Sequence, residues 1–280
     1  MNMKKIAIAS ALTLMAGVAS AQVVVGGTIR YDMTKADGSA STTGIAKSEV
    51  TFRSTEDLGN GIKVTAGLGL NGAERGATVT GTDAFIAVAT PAGEVMVGQV
   101  EVANGLLANT QGLTPVQGSE GIVLGATANY DVAQYTSPAM MGFKATATAL
   151  RGIDATDDHT YVVGVEGKVG PVAARADYTD GTERVRVSGQ VNVMGVAVGA
   201  GWSGNETGVK DSWIVAAAVP VGPVTVGATY ANGNGKATAV AAKYALSKRT
   251  SIGLAYRDVT ENSVAAKNVA TTRVRLQHTF

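Results

Sequence analysis

The last ten residues, Thr271-Thr-Arg-Val-Arg-Leu-Gln-His-Thr-Phe280, alternate polar and apolar side chains and finish on an aromatic ring. This alternation constrains the fold more than any other feature of the chain, because successive side chains of a strand point to opposite faces. Thr272, Val274, Leu276, His278 and Phe280 share one face; Thr271, Arg273, Arg275, Gln277 and Thr279 share the other. A soluble sandwich would turn the apolar face inward, whereas an outer-membrane barrel turns it to lipid and keeps the arginines in water inside. One strand fits both folds in opposite orientations, so the rest of the sequence has to decide.

The other end of the chain favours the membrane. Met1-Asn-Met-Lys-Lys5 is a basic head, residues 6–18 form a short apolar core, and Ala19-Ser-Ala21 has the small residues of a cleavage site. Such a segment reads as a secretory signal peptide cleaved after Ala21, so the exported chain is expected to begin at Gln22 and form one domain over 22–280. The apolar core is shorter than the roughly 20 residues a membrane-spanning helix needs. Of the 23 basic residues Lys4 and Lys5 leave with the leader, and the remaining 21 face 22 acidic ones. That near-neutral total argues against a nucleic-acid partner. There is no cysteine, so neither disulfides nor thiolate metal sites are available, and no cofactor is implied.

Read for period two, the exported sequence divides into about sixteen segments of roughly ten residues, the length of a tilted membrane strand. They run over 23–34, 47–55, 62–71, 82–90, 94–100, 127–136, 142–150, 159–169, 171–180, 183–193, 195–203, 211–220, 223–231, 236–246, 250–258 and 271–280. Short turns such as Glu56-Asp-Leu-Gly-Asn-Gly61, Gly170-Pro171 and Met194-Gly195 follow the even-numbered segments. Longer polar connections, such as 35–46, 151–158, 203–210 and 259–270, follow the odd-numbered ones. Short turns at one rim and longer loops at the other predict an all-β, sixteen-stranded antiparallel transmembrane barrel. Aromatic residues fall at both predicted rims with apolar parity: Tyr31, Tyr161, Tyr178, Trp202, Trp213, Tyr230 and Tyr256 near the loops, and Phe52, Tyr135, Phe143, Tyr244 and Phe280 near the turns. Two such belts suit the two interfaces of a bilayer.

With the apolar parity facing lipid, the lumen receives Arg30, Lys47, Arg53, Lys63, Lys144, Lys168, Arg175, Arg184, Arg186, Lys243, Arg257, Arg273 and Arg275, against Asp32, Glu49, Glu166 and Asp177. A neutral chain with a basic interior predicts a pore that favours anions and passes small anionic or neutral solutes. The connection 101–126 is long, rich in Gly, Asn and Gln, and weak in strand character. Folded inward after the fifth segment, it would narrow the pore. Its residues Glu101, Asn104, Asn109, Gln111, Gln117 and Glu120 would then face a wall made by Arg30, Arg53, Arg273 and Arg275. Arg30, Arg53, Lys63, Arg273, Arg275, Glu101 and Glu120 are therefore the candidate pore-lining and constriction residues.

Several words of the sequence are similar to those of a known family. Lys47-Ser-Glu-Val-Thr-Phe-Arg-Ser-Thr-Glu-Asp-Leu-Gly-Asn-Gly-Ile-Lys63 resembles the second hairpin of the Gram-negative general porins of neisserial and betaproteobacterial type. Val97-Gly-Gln99 resembles the strand leading into their inward loop, and Gln134-Tyr-Thr-Ser-Pro138 with Gly142-Phe143 the strand and turn that follow it. The resemblance implies a homotrimer in outer-membrane lipid and lipopolysaccharide, an inward third loop, passive solute diffusion, and recognition of Phe280 by the barrel-assembly machinery. The chain departs from the family in its trimmed external loops and in an inner loop poorer in acids.

Two other function classes make distinguishable demands. An enzyme in the same barrel would need a histidine beside a nucleophile or carboxylate at the outer rim. Only His159 and His278 exist; His159 follows Asp157 and Asp158, and His278 shares the lipid-facing parity near the other end. A structural or adhesive barrel without open-pore transport would carry long external loops or a plugged lumen. Gly233-Asn-Gly-Lys236 lacks the hydroxyl residue and the helix of a phosphate loop, and the aspartates at 154–158 lack calcium-loop spacing. Asn205-Glu-Thr207 matches a glycosylation triplet for which a bacterial barrel has no use.

Overall fold

The computed structural model describes residues 22–72, 78–102, 110, 112–116, 128–152, 159–204, 210–233, 235–261 and 268–280. The leader segment 1–21 and residues Glu120, Asn104, Asn109, Gln111 and Gln117 lie outside them. Among the described residues the strands are β1 (Gln22–Ala36), β2 (Thr42–Gly59), β3 (Ile62–Asn71), β4 (Thr80–Thr90), β5 (Gly93–Val102), β6 (Ala128–Thr136), β7 (Phe143–Gly152) and β8 (His159–Val169). The second half supplies β9 (Val172–Thr179), β10 (Arg184–Val193), β11 (Val196–Gly204), β12 (Ser212–Val221), β13 (Val224–Asn232), β14 (Gly235–Ala245), β15 (Thr250–Glu261) and β16 (Asn268–Thr279). Each pairs antiparallel with its sequence neighbours, and β1 pairs with β16 to close the barrel. Closure leaves no unpaired sheet edge, which is what allows strands to cross a membrane.

Phe280 completes the seam. Its N–H donates to the Gly27 carbonyl and its own carbonyl accepts from the Gly27 N–H, both at 3.1 Å. A side chain at Gly27 would run into the Phe280 ring, so the glycine is what lets the terminal ring lie across β1. At the short-turn end, Met194 and Gly195 both take positive φ, 53° and 83°, as a two-residue hairpin turn between twisted strands requires.

The predicted segments and the observed strands coincide in order and number; β2, β15 and β16 run further than expected, into the predicted connections 56–61 and 259–270 and furthest into 35–46. The connection expected over 35–46 is mostly strand: Thr42 and Thr43 extend the ladder opposite Thr34 and Met33. A bulge at Ala46 makes this possible, because Arg30 pairs with Lys47 while Tyr31 pairs with Ile45. The extra residue re-aims Ile45 to the apolar face without disturbing Lys47.

The two faces of the wall differ as alternation demands. Outward positions carry exposed apolar side chains, among them Ile29, Tyr31, Val97, Val165, Val215, Leu254 and Leu276. Tyr31, Tyr161, Tyr178, Trp213 and Tyr256 stand exposed near the long-loop rim, and Phe52, Tyr135, Tyr244 and Phe280 near the other. Trp213 and Tyr230 touch, with centroids 5.2 Å apart.

Candidate functional site

The inward face is not uniform, and cross-strand register sorts it into two kinds of wall. On β16 and β1 it is basic. Arg275 pairs directly with Asp32 across the barrel seam, and Arg273 pairs with Thr34. Arg275 grips both carboxylate oxygens of Asp32, Nε at 2.8 Å and Nη2 at 2.7 Å, the strong planar form of this contact. Arg273 reaches the same carboxylate at 3.4 Å, but its Nε makes no well-directed hydrogen bond. Arg30 turns instead to the neutral Gln277, its Nε 3.2 Å from the amide oxygen. Two guanidiniums thus share one carboxylate with a third, Arg30, beside them, all half-buried in the wall. Lys47, which faces Arg30, is matched by Glu49 at 2.7 Å.

The other two basic residues of the predicted constriction, Arg53 and Lys63, are not part of this patch. Arg53 faces inward, but it lies six residues beyond Lys47 on β2, about 20 Å along a strand. It pairs with Gly67, and the Phe85 ring lies across that glycine with the Arg53 guanidinium 5.6 Å from its centroid. Sequence reading gave Phe85 no place; its ring is inward, in a cation–π contact that orients Arg53. Lys63 is inward but highly exposed at the short-turn end, 3.9 Å from Asp57. Glu101 shares the outward parity of Val95 and Val97 and pairs with Asn129, while its N–H donates to the inward carboxylate of Asp83 at 2.8 Å. The structure therefore brings Arg30, Arg273 and Arg275 together, sets Arg53 and Lys63 apart, and leaves Glu101 off the inner wall. Asp83 and Glu94 are inward acids absent from the predicted set, because Asp83 sits at a β3–β4 bulge and Glu94 at a turn, where alternation is hard to read.

A second cluster lies on β8, β9 and β10. Asp177 is buried between Arg186 and Arg175, and Arg175 also donates to Glu166 at 3.0 Å. Here two carboxylates meet two guanidiniums, with Arg184 the next inward residue on β10 and Lys144 opposite Glu166.

The wall from β11 to β15 carries Lys243 and Arg257 toward its ends, but its middle is built from small residues. Ala197, Ala218, Gly227, Ala241 and Ala255 form one continuous cross-strand row, which runs directly into Arg273. Next to it Ala216, Thr229 and Ala239 form another. Seated on these rows is a short described piece of the inner connection, residues 112–116. Leu113 packs against Ala197, Ala216 and Ala218, and the hydroxyls of Thr114 and Thr229 are hydrogen-bonded in a buried contact. In the strand order β13 stands eight places from β5, so the connection that leaves β5 is anchored on the opposite side of the barrel. Small residues leave room for that segment, a pattern that the alanines of β12 and β14 carry in the sequence and that alternation alone does not interpret.

The histidines do not form a common site. His159 lies at the long-loop end with its ring stacked on Tyr161, centroids 6.5 Å apart, while His278 lies at the other end, its Nδ1 2.9 Å from the Thr250 hydroxyl.

Comparison with known proteins gives the same architecture. Residues 7–263 match the family described as Gram-negative porin. No curated protein sequence matches. Among solved structures the chain is similar to a loop-deletion mutant of OmpT, an outer-membrane protein of Vibrio cholerae, at a TM-score of 0.76 and 13% identity, covering 93% of this chain and 99% of that one. It is also similar to an anion-selective porin from Comamonas acidovorans, at 0.73 and 16% identity, covering 93% and 100%. A mutant porin of Rhodopseudomonas blastica follows at 0.71 and 14%, covering 92% and 100%. At these identities the likeness is one of fold.

Proposed function

The chain belongs to the Gram-negative porin family, and on that premise we propose that it forms a water-filled pore through the outer membrane for passive diffusion of small hydrophilic solutes, with a preference for anions. The observation that carries the preference is the seam patch, where Arg273 and Arg275 share the carboxylate of Asp32 and Arg30 stands beside them on the neutral Gln277. Between low-dielectric walls such an excess of positive charge concentrates anions and repels cations. Arg53 and Lys63 extend the positive potential toward the short-turn mouth, and Glu120, in the inner connection, is its acidic counterpart, whereas Glu101 has no part in the lining. The similar porin from Comamonas acidovorans is described as anion-selective, which agrees with this reading.

The remaining proposals follow from the same premise. Residues 1–21 are a cleaved export leader and 22–280 the barrel domain, seated among outer-membrane lipid and lipopolysaccharide. Three copies assemble, each with its own pore; one similar structure of the Vibrio cholerae protein is described as a trimer form. The barrel-assembly machinery reads Phe280, and the protein is a channel without catalytic activity.

Swelling of liposomes carrying the refolded protein tests the transport claim. Small sugars and amino acids should enter and swell the vesicles at rates that fall with solute size, while protein-free liposomes stay inert. A folded barrel that admits none of them would contradict it.

A further inference from the structure

We propose that Gly227 and Gly253 form a receiving notch in the inner wall that holds residues 113–116 flat against β13 and β15, and that this seat sets the aperture beside Arg275. The inference rests on the pore reading above. A Cβ at Gly227 would run into the Leu113 carbonyl oxygen and lie 2.8 Å from Pro115 Cδ. A Cβ at Gly253 would run into Val116 Cγ2. Glycine is the residue that lets a backbone lie this close to a sheet. On the other side of Gly227 from Gly253 the Thr114 hydroxyl is bonded to Thr229, with both residues buried.

Val116 adds an independent sign that the segment is held rather than draped. Its φ is 73°, a left-handed conformation that a β-branched residue adopts only under constraint from its surroundings. Gly253, against which it rests, pairs with Lys243 on one side and Arg275 on the other. The seat therefore fixes an edge of the inner connection in the cross-strand row of two cations. Any bulk added beneath the segment moves it off the wall toward the pore axis.

Single-channel conductance tests this in folded barrels, recognised by their resistance to detergent unfolding at room temperature. Gly227→Val should lower conductance by roughly half, since the obstructing atom is backbone and overpacked contacts relieve themselves by displacement. Gly253→Ala should lower it less, and adding Val116→Ala should restore it, because there the obstructing atom belongs to a side chain. The absence of cysteine allows a second measurement that does not depend on Gly227→Val folding. With Thr114→Cys and Thr229→Cys together, a disulfide should form under oxidation and leave conductance unchanged. Unchanged or raised conductance in the glycine variants would overturn the seat, as would failure of the disulfide to form or its closing the channel. If the unaltered protein itself conducts nothing, the pore reading fails instead.

Discussion

The seam and the wall from β11 to β15 are neighbours in the same sheet, yet they are built on opposite principles. At the seam, long charged side chains stand on the inner face and hold one another through Asp32. One strand away, at Ala255 and Gly253, the inner face is stripped to glycine and alanine and a piece of chain lies on it. The contrast shows how a wide barrel of polar lining can be given a selective side and a supporting side. Charge works where it meets water and solute, and small side chains work where backbone must approach backbone.

The comparison is most easily broken at the seam. Replacing Arg273 and Arg275 together by Ser should abolish most of the anion preference, measured as the collapse of the zero-current potential toward zero under a salt gradient. Substitution within the seat by Ala216→Ser, which keeps the wall small, should leave that potential unchanged. A loss of preference of similar size in both would mean the two walls do not divide the work.

Asp32→Asn sharpens the same contrast from the other direction. Removing the shared carboxylate frees two guanidiniums, so anion preference should rise. The loss of charged hydrogen bonds should cost roughly 1–3 kcal/mol of stability, seen as earlier thermal unfolding in detergent. Arg53→Ser should reduce the preference by less than either seam arginine, because it lies away from the patch. Phe85→Leu should mimic part of that loss by freeing the Arg53 side chain, a contact of about 0.5–1 kcal/mol. Lys63→Ser should change the potential least of all, since that residue is exposed at the mouth and its pairing with Asp57 is loose. A large effect there would place the selective region at the short-turn end instead.

Much of this was legible in the sequence because a barrel strand repeats one simple rule. Period two placed every strand and put Arg30, Arg273 and Arg275 on the inner face, since each sits within a strand, Arg30 and Arg275 between apolar neighbours and Arg273 beside Val274. The rule failed where the ladder is irregular. The bulge at Ala46 lengthened β2 beyond its predicted start, and the one opposite Gly69 hid Asp83. Glu101 was misplaced for another reason: β5 runs on regularly to Val102, so this residue keeps the outward parity of Val95 and Val97 instead of opening the inner connection. The seat was illegible for a different reason. Alanine and glycine at alternate positions of β12, β13 and β14 report only the absence of side chains, and nothing periodic in residues 112–116 reveals which wall they meet.

The central claim is that the unneutralised arginines at the seam give the pore its preference. Its most direct test is the zero-current potential of the refolded protein in a planar bilayer under a salt gradient, compared with Arg273→Ser/Arg275→Ser. An anion-signed potential in the unaltered protein that collapses toward zero in the variant is the result expected; a cation-signed potential, or an anion-signed one the variant retains, would contradict it.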